Sequence, residues 1–215
     1  MAEKIILNNQ TDSVKYLCNK DKRLAKLISM VGEITYVPLD DGYAFLIHEI
    51  IEQMLSIKAG QKIYARLVEL CKGKVDINTI SALSYTDLRT IGTSNAKAEC
   101  ILTISQLIRD NKICLEHLPD LDDNEVIRKL TSIKGIGTWT AKMYLIFVLN
   151  RQNILPYEDG AFLQVYRWLY KTEDIAKQTV IKKCEKWKPY SSIAARFMYR
   201  ALDTGLTKEE FHLYK

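Results

Sequence analysis

Apolar residues recur along nearly the whole chain at intervals of three and four, the spacing of helices with one buried face. Val14, Leu17, Leu24, Leu27 and Ile28 follow this period behind a capping Asp12 or Ser13, which predicts one helix over 12–30. Ile34 to Leu39 reads as a short extended segment, closed by a turn at Asp40-Asp41-Gly42. Residues 43–56 are so rich in Phe, Leu and Ile that the predicted helix should be buried on most sides. Further helices are predicted over 58–71, 79–83, 85–90, 94–109, 123–132, 138–149, 160–170, 173–186 and 191–202, with a short last turn from Lys208. No strand-rich region, tandem repeat or low-complexity linker interrupts the pattern. The chain is expected to be all-α, a two-lobed helical bundle. Residues 43–150 form the central lobe, and residues 1–42 with 157–215 form the other.

One stretch departs from simple amphipathic patterning. Leu130 to Lys142 reads as helix, a tight Gly135-Ile136-Gly137 turn, then helix. Glycine lets the backbone turn sharply with no Cβ in the way. The helix opening at Gly137 or Thr138 has N–H groups without partners inside the helix, which suit an anion such as a phosphate. Residues Ile133, Lys134, Gly135, Ile136, Gly137 and Thr138 are therefore a candidate phosphate clamp. The carbonyls of Thr131, Ile133 and Ile136 point outward in this reading, where a monovalent cation, Na or K, would bridge them to the phosphate. Lys134 and Lys142 fall where phosphates would lie. A plain helix-turn-helix corner is the competing reading.

Length and composition narrow the class. The 215 residues, 47% of them apolar, are enough for a packed core. Net charge is +5, from 31 basic and 26 acidic residues, which permits a polyanionic partner without requiring one. No long apolar run marks a membrane span, and no signal peptide is read at the start, so the expected compartment is the cytoplasm, beside the nucleoid if the source is bacterial. The five cysteines are odd in number and widely spaced, which disfavours disulfides, zinc and iron–sulfur clusters and favours buried thiols.

Four side-chain groups are candidates for chemistry, each beside a plainer role. Asp159 follows a Pro-containing break and precedes a helix, where an Asp commonly caps the first turn. The same placement would let it stabilise a developing positive charge or direct a water. Trp139 is either a core residue or an aromatic face for a cationic base, an attraction of roughly 0.5–2 kcal/mol. Met54, beside Gln53, is either a core Met or a wedge that fills the gap left by a flipped base. Tyr43 is a candidate pocket-lining residue by position alone.

Six segments in order resemble the helix-hairpin-helix DNA glycosylases, and among them the bacterial 3-methyladenine DNA glycosylase II family. Asp41-Gly42-Tyr43-Ala44-Phe45-Leu46 is similar to its D-P-F-E-x-L, and Ile50 to Ser56 to its I-I-x-Q-Q-L-S. Leu88 to Gly92 with Lys97-Ala98 resembles L-R-x-x-G…K-A, and Leu130 to Ala141 resembles the hairpin. Leu155 to Asp159 is similar to L-P-x-x-D, and Trp187 to Tyr190 to W-x-P-W. The resemblance implies an active-site cleft between the lobes, Asp159 as the catalytic carboxylate, and removal of alkylated purines from double-stranded DNA by a monomer. Lyase-active relatives carry Lys where Trp139 stands, so the resemblance implies a hydrolase acting through water, with no cofactor and no iron–sulfur cluster. A glycosylase for deaminated or oxidised bases, or a DNA-binding protein without activity, are the alternatives. Gly42 stands in place of the usual Pro, Met54 in place of Gln or Leu, and Ser191 in place of an Arg.

Overall fold

The computed structural model describes residues 3–214. In chain order the elements are β1 (Ile5–Leu7), α1 (Asp12–Lys20), α2 (Lys22–Val31), β2 (Ile34–Tyr36), α3 (Gly42–Glu52), α4 (Ile57–Leu70), α5 (Ile77–Ser81) and α6 (Tyr85–Thr90). They continue as α7 (Asn95–Arg109), α8 (Asp123–Thr131), α9 (Thr138–Phe147), α10 (Gly160–Tyr170), α11 (Lys177–Cys184) and α12 (Ser191–Asp203). The chain divides into two compact units. One is Leu39–Leu149, and the other joins the residues up to Pro38 with those from Asn150 onward.

Leu39–Leu149 is built around α3, which packs against α4, α7 and α9. Its Leu46, Ile47, Ile50 and Ile51 are fully buried, as the dense apolar pattern of this segment predicts. Helices α3 and α9 run antiparallel. Phe45, near the start of α3, meets Tyr144 and Phe147 near the end of α9, whereas Gln53 at the end of α3 reaches Thr140 in the first turn of α9. Gly42 opens this helix, and the Tyr144 hydroxyl occupies the space that a Cβ there would need.

The other unit centres on α12, which packs on α10 and α2. Leu17, Leu24, Leu27, Phe162, Val165, Trp187 and Phe197 form its core. The two short strands pair antiparallel, Ile6 opposite Thr35. Only the second was legible as extended, because three residues with one buried side chain carry too little periodicity.

Several boundaries differ from the sequence pattern. The predicted helix over 12–30 is two helices, broken at Asp21, whose carboxylate caps α2 by accepting the N–H groups of Arg23 and Leu24. That carboxylate is buried and also accepts bonds from Trp187 Nε1 at 3.0 Å, Lys186 Nζ at 2.9 Å and the Tyr170 hydroxyl. An apolar stripe continuous across a break is blind to such a cap. The helix predicted over 43–56 ends at Glu52, the one over 138–149 ends at Phe147, and the one over 173–186 begins at Lys177.

Candidate functional site

The hairpin turn owes its shape to one glycine rather than two. Gly135 has φ +98°, a conformation that side chains rarely adopt, and a Cβ there would lie 2.7 Å from Cys100 Sγ. Gly137 is extended, with φ −93° and ψ 173°, and a Cβ there would meet open space. Of the two glycines, only Gly135 is held in a conformation and a space that exclude a Cβ. Burial pushes the Cys100 thiol up to about 11, so beneath Gly135 it is a neutral packing group.

Ile133 and Ile136 are buried and anchor the turn through their side chains. The Ile136 N–H donates to the Ile133 carbonyl at 3.0 Å, so that donor is already engaged within the turn. Gly137 caps α9 without any side-chain bond, which leaves the front of the helix open to approach. Lys134 is exposed, whereas Lys142, on α9, is buried. Among the described residues no group of three or more His, Cys, Asp or Glu is placed to hold a metal ion.

Met54 follows α3 in a tight turn. Its φ is +57°, a left-handed conformation uncommon for a residue with a Cβ, at a cost of about 1 kcal/mol. The residue is 102% exposed, so the plain reading of a core methionine does not hold. Gln53, before it, ties this turn to the hairpin. Its Nε2 donates to the Gly135 carbonyl at 3.1 Å and to Thr140 Oγ1 at 3.2 Å. Lys97 Nζ, from the first turn of α7, donates to the Ile51 and Gln53 carbonyls, both at 2.7 Å. The sequence reading missed the parts played by Lys97 and Thr140. Lys97 lay inside a quoted motif, but no local pattern says which distant carbonyls a lysine will reach.

Trp139 is half-buried in the first turn of α9, beside the hairpin. Tyr43 lies at the other end of the α3–α9 pair, so the structure does not bring these two together. The Tyr43 hydroxyl shares a 2.6 Å hydrogen bond with Ser105 on α7, and burial pushes the phenol up to about 12. It also lines a cavity of about 630 Å³ with Asp41, Glu116 and Tyr144.

Asp159 is the N-cap of α10 and 7% exposed. It accepts the Phe162 N–H at 2.6 Å. The segment leading to it is fastened to the start of α12. Ser192 N donates to the Gln152 carbonyl at 2.9 Å, Ile154 N to Ser192 Oγ at 2.8 Å, and Ser191 Oγ to Asn153 Oδ1 at 3.0 Å. Ser191, where the family usually has Arg, thus takes part in local anchoring. The cap and the carboxylate readings of Asp159 coexist: one oxygen caps the helix, and a carboxylate has further acceptor sites.

Comparisons with known proteins identify the family. Residues 47–189 match the model of the HhH-GPD superfamily base excision DNA repair proteins. The chain belongs to this superfamily. DNA-3-methyladenine glycosylase 1 of Schizosaccharomyces pombe is 29% identical over 204 residues, 91% of this chain and 89% of its own length. A Bacillus subtilis relative, YfjP, is 32% identical over 126 residues, and the chain spans only 44% of that protein. Among solved structures, a DNA-3-methyladenine glycosidase of Bacillus halodurans superposes with a TM-score of 0.83 at 30% identity, covering 97% of each chain. The S. pombe 3-methyladenine DNA glycosylase in complex with abasic DNA superposes with a TM-score of 0.80 at 27% identity, covering 95% of this chain and 100% of that one. The mostly helical fold with a helix-hairpin-helix motif is thus that of known DNA glycosylases. No described helix is long and apolar enough to cross a membrane.

Proposed function

We propose that this protein is a monofunctional DNA glycosylase that removes alkylated purines, with 3-methyladenine as the leading substrate. The observation that carries the reading is the near full-length likeness to proteins named for 3-methyladenine removal. DNA glycosylase activity in base excision repair is the common property of these relatives; the lesion is the finer inference. Wild-type protein incubated with methylated genomic DNA should release 3-methyladenine or 7-methylguanine. Release of uracil or hypoxanthine alone from matched deaminated DNA would overturn the substrate assignment.

In this reading the front of α9 and the turn around Gly135 receive a phosphate of the duplex. Met54 enters the stack when the damaged base leaves it. An exposed side chain on a strained turn suits this role, since it has no core contact to lose. Trp139 offers an indole face to the base. A methylated purine is cationic, which favours it over the neutral bases. Tyr43, whose phenol is held by Ser105 at the far end of the α3–α9 pair, is not part of the pocket beside Trp139 in this reading.

The bond between C1′ and the base nitrogen then breaks. Its electron pair goes to the cationic base, which departs neutral and needs no acid. The positive charge passes to the sugar, where the Asp159 carboxylate stabilises it. Water adds to C1′, and its proton leaves by way of Asp159 or bulk solvent. The product is an abasic site. Trp139 offers no amine, so no Schiff base forms at that position.

No organic cofactor enters this scheme. The carbonyls of Thr131, Ile133 and Ile136 would hold a monovalent cation at the hairpin. The Ile133 oxygen already accepts the Ile136 N–H and keeps its second lone pair for the ion. Such an ion would supply positive charge beside the phosphate. The partner proposed is double-stranded DNA with a damaged base, bound by one copy of the chain.

A further inference from the structure

The turn that carries Met54 is fixed from two sides, and only one of them is the hairpin. Helix α3 ends at Glu52, and the last carbonyls of a helix have no partner within it. The Leu55 N–H takes the Glu52 carbonyl at 3.1 Å. Lys97 takes those of Ile51 and Gln53, which bracket it, at 2.7 Å each. An ammonium at this place also opposes the negative end of the helix dipole.

Three features separate Lys97 from a lysine that grips a phosphate. Two of its three protons are already directed at carbonyls. It is partly buried, and burial draws its pKa below the ordinary lysine value. One of its acceptors is the carbonyl of the residue directly before Met54, and that same residue's side chain bonds Gly135 and Thr140. The ammonium, the Gln53 amide and the hairpin therefore form one connected set around a residue in a left-handed conformation.

We propose that Lys97 is a positioning residue for base flipping: it fastens the end of α3 so that Met54 stands out on the same rigid piece as the hairpin. The inference rests on the glycosylase reading and on Met54 as the wedge. Lys97 touches neither base nor sugar in this role. It acts through Met54.

The test uses the full chain and a duplex in which 2-aminopurine neighbours a tetrahydrofuran abasic analogue. Insertion of the wedge unstacks the reporter, so its fluorescence rises. Lys97→Met, which keeps the length of the side chain and loses its donors, should weaken the insertion equilibrium about tenfold or more, the scale of a lost charge-assisted hydrogen bond. Lys97→Arg should restore most of the signal. Met54→Ala should lose the signal and weaken binding to this duplex, and adding Lys97→Met to it should weaken that binding no further. The slope of log affinity against log salt should be the same in wild type and Lys97→Met.

A wild-type signal in Lys97→Met overturns the proposal. So do additive losses in the double variant, or a salt slope smaller by about 1, which marks a direct phosphate contact. Lys97→Gln, which keeps a donor without the charge, replaces Lys97→Met in every comparison if urea unfolding shows that variant to be unfolded. A wild-type protein that gives no fluorescence rise overturns the glycosylase reading together with this one. A wild-type rise that Lys97→Met leaves unchanged overturns this one alone.

Discussion

Gln53 and Gly135 are 82 residues apart in the chain and joined by one hydrogen bond, from Nε2 to the carbonyl at 3.1 Å. The bond links the turn that exposes Met54 to the turn that opens α9. The two are parts of one unit rather than separate loops. Gln53→Ala should cost about 0.5–1.5 kcal/mol, the usual worth of such a bond. The urea midpoint should fall at constant m-value. An unchanged midpoint would mean that solvent replaces the amide at no cost.

Gly135 and Gly137 should respond in opposite ways to the same substitution. Gly135→Ala forces a Cβ into an unfavourable φ and against Cys100, and should destabilise by about 1–3 kcal/mol. Gly137→Ala meets open space in an ordinary conformation, and its stability should stay within about 0.5 kcal/mol of wild type. Thermal unfolding of the two variants side by side checks this, and equal losses would contradict the assigned turn. If Gly137→Ala keeps its fold yet binds all DNA more weakly, its bare backbone serves the approach of a phosphate.

Trp139→Ala should lower turnover more on a cationic lesion than on a neutral one. The expected difference is about two- to thirtyfold, from a cation–π contribution of roughly 0.5–2 kcal/mol. Single-turnover rates on 7-methylguanine and hypoxanthine duplexes measure it. Equal losses on both would make Trp139 a packing residue.

Asp21 should make stability depend on pH at the acid end. Burial raises its carboxyl, but bonds from Tyr170, Lys186, Trp187 and the Leu24 N–H together outweigh burial and hold it below the usual value. A depressed folded-state pKa contributes stability above the unfolded value of about 3.9. That contribution is lost as the pH falls through the folded value. Asp21→Asn should therefore be less stable than wild type at neutral pH, by about 3 kcal/mol, the lower range for breaking a buried ion pair. The gap should narrow below about pH 4. A constant gap from pH 7 to pH 3 would show that the charge is not what Asp21 contributes.

The same residue marks where sequence reading stops. The apolar spacing of Val14, Leu17, Leu24 and Leu27 gave the buried face of both helices, and all four are in the core. The stripe runs on through the break, where Asp21 caps the second helix locally, and it could not give that carboxylate's burial, because Tyr170 and Trp187 lie 149 and 166 residues downstream. At the hairpin, the Gly-x-Gly pattern located the turn, while the choice of Gly135 over Gly137 came from Cys100, on another helix. The sequence left Met54 between a core residue and a wedge, and its exposure removes the first of these. Its left-handed turn depends on Gln53 and Lys97 reaching carbonyls that no local pattern names. Asp159 was legible both as a cap and as a carboxylate, and the cap is what the structure displays.

That cap makes the central claim testable by one change. Asn is as good an N-cap as Asp, and its Oδ1 can still accept the Phe162 N–H, so Asp159→Asn should fold and bind DNA as wild type does. It lacks the negative charge that the sugar cation needs. The measurement is free-base release from methylated genomic DNA by wild type and Asp159→Asn, read by chromatography, with binding to an abasic duplex measured in parallel. The account predicts 3-methyladenine or 7-methylguanine from wild type only, at least about a hundredfold above the variant, with equal binding by both. Equal release by the two proteins would contradict the role assigned to Asp159.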